Sequence, residues 1–373
     1  MKKKKKAEAQ PEVCSVQTGN ANNPFCLFDT AFPGRHDIQL YSALRDAVPI
    51  IDAAITKLVR LTGGFEVRCT HSASQQHMDE FVSGICVNGN QAGLNAFISN
   101  YFEQLLTYGT AIGEIVTDTS GLPCALFNAP LENIELRRNE NGLSIDLYSL
   151  GSGHAEKIRY PELTVMSVLN PDAGSITGNS LLKGLPFVAG TLMKIFRTIG
   201  TNWERLGNIR FAVTYKPQND SLDRAYAKER ATQVAKEWSS AMSSSTVRDF
   251  VAVGDVQIKV IGSEAQLPDS EVPVKQLLEQ IVAKTGLPPF LLGLSWSSTE
   301  RMSSQQADAL TSELEAYRRI LTPAITKVCD TVLRLYGLPG SVDVFWDDIM
   351  LQDMVEAARA ELYSAQAEKI ANE

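Results

Sequence analysis

Two consecutive prolines, Pro288-Pro289, follow one strong apolar stripe and precede another. Neither has a backbone N–H, and each ring disfavours a helical residue before it, so no helix runs through this point. Residues 286–293, opened and closed by glycine, are therefore predicted to be extended and to separate two helices. The first is expected over 271–285, with Val274, Leu277, Leu278, Ile281 and Val282 on one face. The second is expected over 307–336, with Leu310, Leu314, Tyr317, Leu321, Ile325, Val328, Val332 and Leu335 in register. Pro323 lies inside that stripe and predicts a kink.

A third long stripe covers 181–206, through Leu182, Leu185, Val188, Leu192, Ile195, Phe196, Ile199 and Trp203, and Gly207 closes it. Between it and the 271–285 helix lies a compact insert. Its parts read as a strand at 209–215, a charged helix at about 221–242, and a strand pair at 249–253 and 256–261 turning at Gly254-Asp255. Upstream, residues 41–170 read as one α+β unit. A helix is expected over 41–61, where Pro49 either kinks it or marks its true start. A strand follows at 65–69, and a helix over 91–107 is ended by Gly109. Strands are expected at 111–117, 125–127, 133–137, 143–148 and 165–169, separated by turns such as Asn139-Glu140-Asn141-Gly142. A loop at 174–180 leads into the third stripe. A strand at 342–346 and an acidic helix at about 348–371 close the chain, and residues 1–40 read as a mobile polar arm.

Charge narrows the functional classes. The net charge is -8 over 373 residues, which argues against a protein that wraps nucleic acid tightly. The distribution is uneven: Met1 to Lys6 carry +5, and Ser341 to Glu373 hold eight acids and two bases, a net of -6. The lysine run reads either as a solvated tail or as a contact for an acidic surface. No apolar run reaches the roughly 18–20 residues of a membrane span, and no apolar segment follows the basic run, so neither a membrane partner nor a secretory signal is expected. Six cysteines without CxxC spacing read as free thiols. Cys69, His71, His77 and Cys86 lie near one another in sequence, but their spacing matches no zinc finger or ribbon. Phosphate-loop, dinucleotide, nucleophile-elbow and HExxH patterns are all missing. The expectation is a non-enzyme with no catalytic residue, cofactor or metal.

The run IVAKTGLPPFLLG, Ile281 to Gly293, resembles a characteristic segment of the portal (head-to-tail connector) proteins of tailed bacteriophages, in their HK97-like class. Leu106-Thr107-Tyr108-Gly109-Thr110-Ala111 is similar to that family's junction after a wing helix. Gly178-Asn179-Ser180-Leu181-Leu182 is similar to its stem-helix start, and Leu321-Thr322-Pro323 fits its downstream helix. The order of these matches spans about 40–340. The resemblance implies an α+β portal fold: an α/β wing over 41–180 and 307–340, a two-helix stem over 181–206 and 263–293, and a small α/β clip over 207–262. A tunnel loop over 294–306 and a short helical crown-like segment over 341–373 complete it. It further implies a ring, typically a dodecamer, at one capsid vertex of the virion, assembled in the host cytoplasm. Its implied partners are duplex DNA passing through the channel, large terminase, a head-tail adaptor and the major capsid or scaffold protein. Two departures stand out: the crown is short, and the loop after Gly293 lacks the family's tyrosine–asparagine pattern.

Under that resemblance the tunnel-loop candidates are Ser297, Ser298, Thr299, Glu300, Arg301 and Ser303. Small hydroxyls hydrogen-bond phosphate without a fixed charge, and rotational symmetry turns one Arg301 into a ring of positive charge. A channel for a moving polyanion must not grip phosphates, because each firm cationic contact opposes sliding. Net acidity fits such a conduit, as it fits many soluble proteins. Lys275, Glu279 and Lys284 mark the polar side of the second stem helix and face either the channel or a neighbouring subunit. In the clip, Arg224, Lys228, Glu229 and Arg230 form a mixed-charge surface suited to exchangeable docking of terminase and adaptor, or simply a solvated face. Two other readings remain open: an oligomeric capsid-associated adaptor without a channel, and a metal-dependent nuclease built on Asp347, Asp348 and Asp353.

Overall fold

The structure is a computed structural model that describes residues 35–142, 144–150, 154–207, 210–215, 226, 229, 231–236, 256–261, 269–294 and 300–349. In chain order the elements are α1 (Arg35–Ala47), α2 (Pro49–Leu61), β1 (Phe65–Cys69), α3 (Ser72–Gly84), β2 (Cys86–Val87), β3 (Gln91–Ala92) and α4 (Leu94–Tyr108). Strands β4 (Thr110–Thr117), β5 (Pro123–Asn128), β6 (Ile134–Arg138), β7 (Ile145–Ser149), β8 (Glu156–Lys157) and β9 (Thr164–Val168) follow. After them come α5 (Leu185–Gly207), β10 (Arg210–Tyr215), β11 (Val256–Ile261), α6 (Glu271–Thr285), α7 (Glu300–Leu335) and β12 (Val342–Trp346). No described helix is long and apolar enough to cross a membrane.

The chain divides into two compact units, Met1–Ala189 with Leu278–Glu373, and Gly190–Leu277. In the larger unit a five-stranded sheet of order β3-β2-β5-β4-β9 carries α4 on one face. Phe97, Tyr101, Phe102, Leu105 and Leu106 of α4 are all essentially inaccessible to solvent. Gly113 of β4 lies beneath the Phe97 ring, where any side chain would collide, so the helix packs directly on the strand. Ile51, Ile55 and Leu58 of α2 and Leu314, Leu321, Ile325 and Val328 of α7 close the core, and the Phe102 ring meets Tyr317 at 5.2 Å between centroids. A three-stranded sheet β6-β7-β8 packs Leu136 and Leu147 against Ile38 and Ile112. In the smaller unit β10 and β11 pair antiparallel, Arg210 opposite Ile261.

Pro49 marks a true helix start, one of the two readings of the sequence. Val48 is extended (φ -125°, ψ 92°) because the proline ring excludes it from the helical region, and Pro49 opens α2. Arg45, at the end of α1, ties this junction together. Its guanidinium donates to Asp52 Oδ1 at 2.6 and 2.9 Å and to Thr107 Oγ1 at 3.1 Å, and pairs with Glu103 at 2.7 Å. Asp52 and Glu103 are more than one-third exposed, so water can solvate them if the arginine is removed. Arg45→Ala is therefore expected to cost about 1–2 kcal/mol, not the larger penalty of a stranded buried charge. Arg45→Lys should not restore the loss, since an ammonium cannot reproduce the fork. Urea unfolding of both variants checks this.

Several expectations shift. The arm expected over 1–40 gives way to helix at Arg35, and Ile38 is buried; residues 1–34 lie outside the described residues. Residues 286–293 are not extended throughout. Pro288 is extended (φ -54°, ψ 138°), but Pro289–Leu292 form a 3₁₀ turn ending at Gly293 in the left-handed region (φ 76°). The loop expected over 294–306 is helical from Glu300 onward. Pro323 lies inside α7, where the sequence placed it. The strand expected at 249–253 lies outside the described residues, and β11 takes β10 as its partner. Of the C-terminal helix expected at about 348–371, only Asp348 and Ile349 are described, and neither is helical. α3 was not anticipated, because only Ser74, Met78 and Phe81 of its otherwise polar sequence are buried.

Candidate functional site

Two of the short runs that carry the family resemblance meet in space. α4 ends at Gly109, whose positive φ of 79° turns the chain, with its N–H bonded to Leu105 O at 2.8 Å. Against that turn lies the 178–182 run. Ser180 Oγ donates to Thr107 O at 2.6 Å, Leu181 N to Leu106 O at 3.0 Å, and Gly178 N to Thr110 Oγ1 at 3.1 Å. Leu169 N donates to Gly109 O at 2.8 Å, and Asn179 N donates to Leu169 O at 2.7 Å. A Cβ on Gly109 would sit 2.6 Å from backbone atoms of Gly178, Asn179 and Ser180. Only paired glycines permit this backbone-on-backbone contact, and it sets where α5 departs.

α5 carries one apolar stripe in two environments. Leu185, Ala189 and Leu192 are buried. Phe196 and Trp203, one and three turns further along the same face, are 51% and 63% exposed. Beside this bare half lies an apolar cleft of about 340 Å³, lined by Thr191, Ile195, Thr198, Ile199, Trp203 and Pro273 of the smaller unit. An aromatic stripe left in water on a helix that began in the core marks a surface built to be covered.

Ser297, Ser298 and Thr299 lie outside the described residues. Glu300, Arg301 and Ser303 form the first turn of α7 instead of a loop. Lys275, Glu279 and Lys284 are exposed on α6. At roughly 100° per residue, Lys275 and Glu279 share one side, and Lys284 falls on the opposite side from Lys275. Of the clip candidates, Glu229 is helical and exposed, and Arg224, Lys228 and Arg230 lie outside the described residues.

Among the described residues no three His, Cys, Asp or Glu side chains gather to hold a metal, Cys69, His71, His77 and Cys86 included. Asp347 and Asp348 serve a different setting. Arg318 of α7 donates through Nε and Nη2 to Thr62 O at 2.9 and 2.6 Å, and lies 5.1 Å from the Trp346 ring centre. Burial lowers its pKa, and the two aspartates oppose that shift. Trp346 Nε1 donates to Thr322 Oγ1 at 3.0 Å. Arg318 and Trp346 thus form a clamp joining the end of α2, α7 and β12, and Asp347 and Asp348 follow directly on that strand. Asp353 lies outside the described residues. Sequence reasoning passed over Arg318, since nothing in a lone arginine on a helical stripe announces a carbonyl 256 residues away.

No protein-family model matches the sequence, and no curated protein matches it. Solved structures do. A chain in the neck of a native gene transfer agent particle, computed with C12 symmetry, aligns with a TM-score of 0.65 at 15% identity, covering 91% of this chain and 92% of that one. A chain in the virion of the native particle aligns at 0.64 and 13%, covering 90% of each. A crystal structure of an HK97 family phage portal protein from Corynebacterium diphtheriae aligns more loosely, at 0.43 and 11%, and nothing rests on that alignment. At these identities the shared property is the fold. The α+β class expected from the sequence is the class observed, and the chain has the architecture of a protein found in a particle neck.

Proposed function

We propose that this chain is a portal subunit, one copy of a ring at a single vertex of a phage-like capsid. The observation that carries the reading is the shared fold with a chain from a neck computed with C12 symmetry, over nine-tenths of both chains. The bare aromatic half of α5 supports it, because a closed ring needs such a surface on every copy. In this reading duplex DNA passes through the ring during packaging and ejection, with large terminase docking first and a head-tail adaptor later. The polar stretch 294–306, including Ser297, Ser298, Thr299, Glu300, Arg301 and Ser303, lines the passage with hydroxyls and balanced charge. A polyanion slides past such a lining because no array of fixed cations holds its phosphates.

Negative-stain imaging of purified full-length protein should show rings with a central hole. Monomers or compact dimers at every concentration would sink the reading. Closed oligomers without a hole would favour a capsid-associated adaptor instead.

A further inference from the structure

The outer edge of β1 is closed by a side chain where a strand would otherwise sit. Among the described residues β1 pairs with β12 alone. Asp347 N bonds to Gly64 O at 3.0 Å and Thr70 N to Ser341 O at 3.0 Å, and the register between them places Glu66 opposite Phe345 and Arg68 opposite Asp343. By antiparallel alternation, residues 64, 66, 68 and 70 direct their peptide groups toward β12, and Phe65, Val67 and Cys69 direct theirs outward. Gln75 of α3 meets that outward edge. Its Nε2 donates to Val67 O at 2.9 Å, and its Oε1 accepts from Cys69 N at 2.7 Å. One carboxamide therefore stands where the peptide of a neighbouring strand would stand.

The edge lies in an open groove of about 750 Å³, walled by β1 and by Ser72, Gln75, Asp79 and Val82. An edge whose outward donors and acceptors meet a side chain instead of a strand has one natural complement, an extended polypeptide. The groove is also biased in charge. Exposed Asp79 accepts from Gln75 at 2.7 Å, and exposed Glu66 flanks the other side. Among the described residues of the wall Arg68 is the cation; it pairs with Glu66 at 3.2 Å and lies 4.5 Å from the Phe345 ring, so that pair is balanced and Asp79 sets the sign of the groove. The Cys69 thiol is pushed up by burial first, with smaller contributions from the charges of Asp79 and Asp330.

We propose that the outer edge of β1 is a docking site for an extended, basic segment of another protein, which adds a strand by displacing the Gln75 carboxamide. The assignment is independent of the portal reading. The test uses full-length protein and a fluorescein-labelled, end-blocked Lys-Val-Lys-Val-Lys-Val-Lys peptide, followed by anisotropy. The same peptide N-methylated at every residue keeps the charge but loses the N–H donors of both edges. It should bind about tenfold more weakly, and an alternating Glu-Val peptide should bind more weakly still. Gln75→Ala frees the edge and should tighten binding by about three- to tenfold, a gain that structural damage cannot mimic. Hydrogen exchange in the complex should slow at residues 65–69.

Equal binding of the N-methylated peptide would reduce the effect to charge attraction and overturn the proposal. Protection confined to another part of the chain would do the same. Stronger competition by a peptide of residues 1–13 of this chain than by the probe would assign the edge to the protein's own lysine-rich start and overturn the assignment to a partner.

Discussion

Gly178→Ala is expected to cost about 4 kcal/mol or more of folding stability, enough to leave much of the chain unfolded at ordinary temperature. The added Cβ would collide with Gly109 O and Leu169 N, and lie 2.6 Å from Leu169 O. These are backbone atoms already held by hydrogen bonds, so no side chain can swing aside to make room. Relief would require pulling 178–182 off the end of α4, which breaks the bonds from Ser180 and Leu181 to Thr107 and Leu106. Gly109→Ala should behave similarly, with strain at φ 79° added to the collision. A control lies in the middle of α5. Gly200 has open space around it, so Gly200→Ala should gain about 0.5–1 kcal/mol through helix propensity alone. Urea titrations of the three variants decide the matter. A loss below about 1 kcal/mol at Gly178 would mean that the two motifs do not bear on each other as described.

The second large effect concerns assembly. Phe196→Ser combined with Trp203→Ser should abolish rings at micromolar concentration while leaving the monomer folded. Buried aromatic anchors in interfaces contribute about 2–4 kcal/mol each, and a closed ring loses that amount at every junction. Both side chains are more than half exposed in the isolated chain, so their removal takes little from the fold itself. Mass photometry reads the oligomer, and circular dichroism reads the fold. Rings that persist in the double variant would show that the α5 stripe is not the interface. Failure of the unaltered protein to form rings would remove the portal reading itself, so the two failures are distinguishable.

Local chemistry carried much of the architecture from the sequence onward. The stripe at 271–285 became α6 with the same bounds, because burial periodicity and a following glycine agree there. Gly109 ended its helix, and β4, β5, β6, β7 and β9 fell where turn residues separated apolar runs, whereas the exposed pair Glu156–Lys157 of β8 carried no such signal. The motif order led to the same fold class that the neck structures share. These features depend on neighbours in the chain, and such neighbours can be read in one dimension.

Other features waited for the third dimension. α3 has too few apolar positions to announce itself; it forms because Met78 and Phe81 find the core and Gln75 finds the edge of β1. The early start of α7 at Glu300 went unread because residues 300–306 hold only Met302 as an apolar residue, too few to make a stripe. The pairing of β1 with β12, the Arg318 clamp and the meeting of Gly109 with Gly178 join segments tens to hundreds of residues apart. Periodicity and turn chemistry determined which segments are helix or strand. Which segments touch, and so which glycines, edges and aromatic stripes matter, was settled only by packing, because contact between distant segments depends on the whole folded chain.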